Sequence, residues 1–211
     1  MKYLVSALAA ALLLPAASVQ AATLLADVEI AYFNSGANLA FPTGIYGGNF
    51  AGPPGFPVAL ADTSFARDGN ADTFVSLPTG SYLTLGFSGG FVFDGVGNDI
   101  FVSEVGGASE TADIFISSDF GLSFTFLGTA TTSTVSGFDL ASIGYTGQVN
   151  AVKVVGLDNF GASPGFDLAF VQGLEGSVVI QEPAPVPLPA AAPLLLAGLG
   201  ALAGLRRLRR R

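Results

Sequence analysis

Between Ala22 and Glu182 no stretch keeps a helical period for a useful length, and this constrains the fold more than any motif does. The residues fall instead into short alternating or continuous β-rich runs, broken by Gly, Asn, Asp and Ser. The runs predict strands over Leu24–Phe33, Thr73–Leu77, Tyr82–Phe87, Ile100–Val105, Ala112–Ser117, Ser123–Leu127, Ala130–Val135, Val149–Val155, Leu168–Gly173 and Ser177–Ile180. Tyr82-Leu-Thr-Leu-Gly-Phe87 and Asp113-Ile-Phe-Ile-Ser117 alternate as half-buried strands do. Short strands with turn signals between them predict an all-β, antiparallel sandwich. No repeat of solenoid or propeller length interrupts the pattern. Asn34 to Ala66 stands apart, rich in glycine and proline, and is predicted to be a long loop. Its aromatics Phe41, Tyr46, Phe50 and Phe56 either line a ligand groove or pin the loop to the sandwich.

The two ends differ in kind from the middle. Met1-Lys2-Tyr3 carries one positive charge, Leu4 to Leu14 is apolar, and small residues follow Pro15. This is the pattern of a signal peptide over 1–21, cleaved after Ala21 or, alternatively, Ala22 by signal peptidase. The apolar run is too short to span a bilayer, which needs about 20 residues. At the other end, Glu182-Pro-Ala-Pro185 reads as an extended spacer. Val186 to Leu205 is almost wholly apolar and just long enough for one transmembrane helix, with Arg206, Arg207, Arg209, Arg210 and Arg211 as the stop. The arginines keep the cytoplasmic side, so residues 22–182 face outward as an ectodomain, and 183–211 form the tail.

Charge follows the same division. All sixteen carboxylates lie between Asp27 and Glu182, with only Arg67 and Lys153 as cations among them. Such a surface repels nucleic acid and attracts divalent cations. With no cysteine and no histidine, the domain is held by core burial or bound metal, and zinc, haem, iron–sulfur and nucleophile–base chemistry are removed. What remains is carboxylate chemistry. Glycoside hydrolysis is the only catalytic class it suits, and Asp99 with Glu104 or Glu110 with Asp113 are the pairs to consider. Nothing in the sequence brings either pair to a catalytic separation, and no tryptophan is present to stack on sugars, although Tyr and Phe can substitute. The expectation is a protein that is not an enzyme.

One turn is suggestive. Arg67-Asp68-Gly69-Asn70-Ala71-Asp72-Thr73-Phe74 sets oxygen side chains at alternate positions round a glycine, which suits a hard cation such as calcium. It equally suits a polar turn whose Asp and Asn bond their own backbone.

Two resemblances add to these readings. Val186-Pro187-Leu188-Pro189-Ala190, a short transmembrane helix and a terminal arginine cluster resemble the VPLPA variant of the PEP-CTERM sorting signals of Gram-negative bacteria. The resemblance implies processing near the motif by an exosortase-like membrane protease, then residence at the cell surface or in the extracellular matrix. A plain one-pass anchor is the alternative. In the ectodomain, the Asp-Gly-x-x-x-Thr-aromatic turn is similar to that of galactose-binding-like and discoidin-like β-sandwiches, and the likeness runs from about Asp68 to Val171. It implies a jelly-roll sandwich with a structural calcium on Asp68, Asn70, Thr73 and the Arg67 carbonyl, completed by Glu175 or Asp167. The likeness also fits a binding or matrix role, with surface polysaccharide as the alternative ligand.

Overall fold

The computed structural model describes residues 23–106, 110–131, 134–174 and 177–180. The signal peptide, the tail from residue 181 and Glu175 lie outside the described residues. Among the described residues no helix is long and apolar enough to cross a membrane.

The strands are β1 (Leu24–Leu25), β2 (Val28–Phe33), β3 (Ile45–Asn49), β4 (Val58–Leu60), β5 (Thr73–Leu77), β6 (Tyr82–Gly86) and β7 (Gly90–Val92). They continue with β8 (Ile100–Glu104), β9 (Ala112–Ser117), β10 (Thr125–Ala130), β11 (Val135–Phe138), β12 (Ala151–Gly156), β13 (Phe166–Gly173) and β14 (Val178–Ile180). Short 3-10 turns occupy Ser64–Ala66 and Leu140–Ile143. One sheet runs β11-β8-β13-β5-β3-β4, with β1 added on β13. The second runs β10-β9-β12-β6-β2, and β14-β7 form a separate ladder. Every strand pair is antiparallel.

Period-two alternation builds the core. Val75 and Leu77 of β5, Ile100 and Val102 of β8, and Phe166 and Leu168 of β13 meet Leu83 and Leu85 of β6, Ile114 and Ile116 of β9, and Val152 and Val154 of β12 in one buried cluster. Each such side chain contributes roughly 1.5–3 kcal/mol of burial, enough to hold a sandwich with no disulfide.

Three expectations change. The segment predicted as one strand, Leu24–Phe33, is two: β1 joins β13 and β2 joins β6, so the chain passes between sheets at Ala26-Asp27. The predicted strands Ser123–Leu127 and Ala130–Val135 are displaced. A register shift between Phe126 and Gly128 carries β10 on to Ala130, and Val135 starts β11 in the other sheet. The long loop Asn34–Ala66 contains β3 and β4. Glycine hides these strands from a propensity reading, yet here it is the requirement. A Cβ on Gly47 would overlap the Phe74 carbonyl, and one on Gly48 the Gly55 carbonyl. The loop aromatics act as pins. Phe41 stacks on the fully buried Tyr46, and Phe50 stacks on Phe56, whose ring meets Phe74 edge-on at 5.7 Å.

Candidate functional site

The Asp68 turn enters β5 directly. Gly69 sits at φ +71°, a left-handed conformation that lets the chain double back. Asp68 Oδ1 accepts from the Asn70 N–H at 2.9 Å, and Asn70 Oδ1 accepts from the Asp72 N–H at 3.0 Å. Thr73 Oγ1 lies 3.0 and 2.9 Å from the two Asp68 oxygens and 3.2 Å from the Asn70 carbonyl. The Asp68 and Thr73 side chains therefore meet beside the Asn70 carbonyl, while the Asn70 side chain turns to the Asp72 N–H; the oxygens gathered there are of the kind a hard cation takes. The polar-turn hydrogen bonds are present in the same arrangement.

Asp167 is elsewhere engaged. It lies opposite Ser76 in the β13–β5 ladder, its Oδ1 accepts from Ser76 Oγ, and burial pushes its carboxyl well above the usual range despite that bond. Arg67 directs its side chain away from the turn, with Nε donating to Thr63 Oγ1 at 3.2 Å and Nη1 to the Asp27 carbonyl at 3.3 Å.

Of the pairs weighed for glycoside hydrolysis, Asp99 and Glu104 are too far apart. Asp99 and Glu104 stand five residues apart along β8 and its approach, a span of roughly 16 Å at about 3.3 Å per residue. Paired glycosidase carboxyls are about 5–10 Å apart. Asp113 accepts from Thr129 Oγ1 at 2.7 Å on an exposed face, whereas Glu110 is buried.

Most carboxylates hold loops in place. Asp119 accepts from Ser117 Oγ, Ser123 Oγ and the Ser123 N–H, which together hold it down at about 2. Asp158 Oδ2 accepts from the Thr111 N–H and Oγ1, both at 2.7 Å, and Asp27 accepts from the Ser88 N–H and Oγ. Asp99, fully buried, accepts from the N–H groups of Gly95 and Leu140, each at 2.8 Å, and from Ser177 Oγ. Among the described residues, Asp94, Asp99 and Asp139 are the three carboxylates whose oxygens fall within 4.8 Å of one another. Asp99 already accepts three protein hydrogen bonds there.

Two features escape a local reading. The first is the outer face of the five-stranded sheet. Phe126 of β10 lies opposite Phe115 of β9, which lies opposite Lys153 of β12. In the adjacent row Val155 is opposite Tyr82, which is opposite Phe33. Phe33 and Tyr82 stack at 5.4 Å, and Lys153 Nζ sits 4.1 Å from the Tyr82 ring centre and 5.1 Å from that of Phe124. Phe33, Phe124 and Phe126 are 37–48 % exposed. Alternation places these rings on one side of their strands, and the register that lines them up is long-range. The second feature is a buried group of acids, Glu104, Glu110 and Asp167, joined from β8, the segment before β9, and β13.

No family model matches the chain, and no curated protein is similar to it. Among solved structures it resembles a truncated AlyQ with CBM32 and alginate lyase domains, at 20% identity and TM-score 0.38, over 60% of this chain and 31% of that one. It also resembles the CBM32 of AlyQ in complex with 4,5-unsaturated mannuronic acid, at 19% and 0.36, over 51% and 81%. A third is the CpGH89 chain from Clostridium perfringens in complex with GlcNAc-alpha-1,4-galactose, at 12% and 0.41, over 76% and 16%. The chain spans about a third of the first of these. At such identities and TM-scores the likeness carries no argument about ligand or reaction.

Proposed function

We propose that this chain is a non-catalytic protein of the bacterial cell surface or extracellular matrix, with a jelly-roll-like ectodomain delivered by a signal peptide and a PEP-CTERM-like tail. Signal peptidase acts after Ala21. The apolar helix from Val186 and the block Arg206–Arg211 hold the precursor in the membrane, and an exosortase-like protease acts near Val186-Pro187-Leu188-Pro189-Ala190. The observation that carries the non-catalytic reading is the use of the carboxylates. Composition leaves no other chemistry, and the loop carboxylates named above accept short hydrogen bonds that hold turns closed. Calcium at Asp68, Asn70 and Thr73 is part of the same reading, since these oxygens converge and the domain is strongly acidic. Replacing Val186–Ala190 by alanines tests delivery. The altered chain should stay in the membrane fraction, whereas the parent reaches the surface of an exosortase-bearing host. Equal surface display of both would sink the sorting role.

A second reading, a carbohydrate-binding module, is favoured by the outer aromatic face. Flat rings beside a lysine suit the apolar faces and hydroxyls of a sugar. With two cations against sixteen carboxylates in the ectodomain, a neutral glycan fits better than an anionic one. A glycan array probed with the parent and with Phe33→Ala/Tyr82→Ala separates the readings. Binding lost in the variant supports a module, and no binding by either leaves a structural surface protein.

A further inference from the structure

Glu104 and Glu110 bury charge without compensation. They are 5 % and 2 % exposed, and neither Glu104 oxygen nor Glu110 Oε2 receives a hydrogen bond. The two carboxyls are near enough to interact electrostatically, and two ionised carboxylates can only accept, so neither can satisfy the other. Asp167 adds a third buried acid close by, and Asp158 adds negative charge from the side. The two cations among the described residues are engaged elsewhere, Arg67 with Thr63 and Asp27, and Lys153 over Tyr82 and Phe124. Leaving ionised carboxylates buried and unpaired costs several kcal/mol per group. A proton or a cation taken from solvent would relieve that cost.

We propose that Glu104 and Glu110, backed by Asp167, form a buried site for a calcium-sized divalent cation, separate from the Asp68 turn. The donor set decides the class. Every candidate ligand is an oxygen, with the Ser76 and Ser163 hydroxyls beside Asp167, and no nitrogen or sulfur ligand is at hand, so the ion is hard. The carboxylates come from three separate stretches of chain, and their oxygens do not all fall within 4.8 Å of one another. An irregular shell with Glu104 and Glu110 innermost suits calcium, which accepts six to eight ligands in flexible geometry, better than magnesium, which demands a near-ideal octahedron. The way in is open. Gly106 and Gly161 flank the two carboxylates at the exposed surface, and a Cβ on Gly161 would overlap Glu110 Oε1. The Asp94, Asp99 and Asp139 group has no such unpartnered oxygen.

The experiment is calcium titration calorimetry on the full-length chain in detergent after chelator dialysis. Tyrosine-sensitised terbium luminescence serves as a second readout. The variants are Glu104→Gln/Glu110→Gln, Asp68→Ala and their combination. Glutamine keeps the shape and brings its own donors, so the paired variant should fold. With both sites occupied, the parent takes two ions, the Gln pair one and the combined variant none. If the Asp68 turn holds no calcium, the parent takes one ion and only the Gln pair loses it, so the two sites fail independently. A Glu110→Asp variant keeps the charge but shortens the reach, and should weaken the site at least tenfold while remaining folded. The proposal is overturned if the Gln pair binds as many ions as the parent, or if the parent binds none. A Gln pair that then melts like the parent in chelator would show that protons, not a cation, neutralise the acids.

Discussion

Replacing Asp99 by alanine should unfold more of this domain than any surface change. The carboxylate is fully buried and receives the N–H groups of Gly95 and Leu140 at 2.8 Å each, together with Ser177 Oγ. It ties the segment before β8, the start of the second 3-10 turn and the entry to β14. A hydrogen bond to a charged acceptor contributes about 1.5–3 kcal/mol, so three would add to about 4–9 kcal/mol if independent. They are not independent. Gly95 is only partly buried and regains water, while Leu140 and Ser177 are buried and do not. We expect a loss of about 3–5 kcal/mol, a large share of a usual domain stability of about 5–15 kcal/mol. Asp99→Asn, which keeps one acceptor and sets an NH2 against a donor, should fall between the variant and the parent. Urea unfolding followed by circular dichroism reads the effect as a lower midpoint at unchanged slope. The loss should be equal with calcium and with chelator, because the bonds removed are to protein donors. A loss below about 1 kcal/mol, or one seen only with calcium, would refute the reasoning.

Further outcomes follow from the same geometry. Glu104 and Glu110 are pushed up to about 7 and about 9, first by burial, from 4.5. Their protonated forms favour the fold, so that contribution is complete below about pH 4.5 and is lost as pH rises through 7 to 9. Melting curves in chelator should therefore fall across that window, and a flat profile would contradict the burial of the pair. Asp27, held down by Ser88 despite burial, and Asp119 act in the opposite sense and lose their contribution as pH drops below the ordinary carboxylate range. Phe166→Ala should cost about 3–5 kcal/mol in the same urea assay, since the ring is fully buried in the central cluster. Gly47→Ala should destabilise the fold by a comparable amount, with amide exchange accelerated first in β3 and β4. Unchanged exchange there would mean that β3 can move off Phe74 at no cost. Calcium at a hundredfold excess over Kd should raise stability by about 2.7 kcal/mol per site, and Asp68→Ala should remove one such increment.

The sandwich was legible wherever two neighbours in sequence point to opposite faces. Ala112–Ser117 matches its predicted bounds because it carries its own alternation, and Thr73–Leu77 matches as a continuous β-rich run buried throughout. β3 was not legible. Ile45-Tyr-Gly-Gly-Asn49 has two glycines where a strand propensity expects side chains, and the reason for them lies in Phe74 and the Gly55–Phe56 turn, which a local window cannot see. The Asp68 turn could be read because its three oxygens lie within six residues. Glu104 and Glu110 are only six residues apart, but Asp167 joins them through the long-range pairing of β13 with β8, which a local window cannot see. The aromatic face lies between these cases. Each ring could be assigned to the outer side of its strand, but the alignment of Phe126, Phe115 and Lys153 depends on register across three strands.

The intact mass of the chain recovered from the surface of an exosortase-bearing host tests the account most directly. The account predicts a mature protein that begins at Ala22 and ends within or before the Val186–Ala190 motif, with the helix and Arg211 gone. A surface form that keeps Arg211, or a cytoplasmic form that keeps Met1, would contradict it.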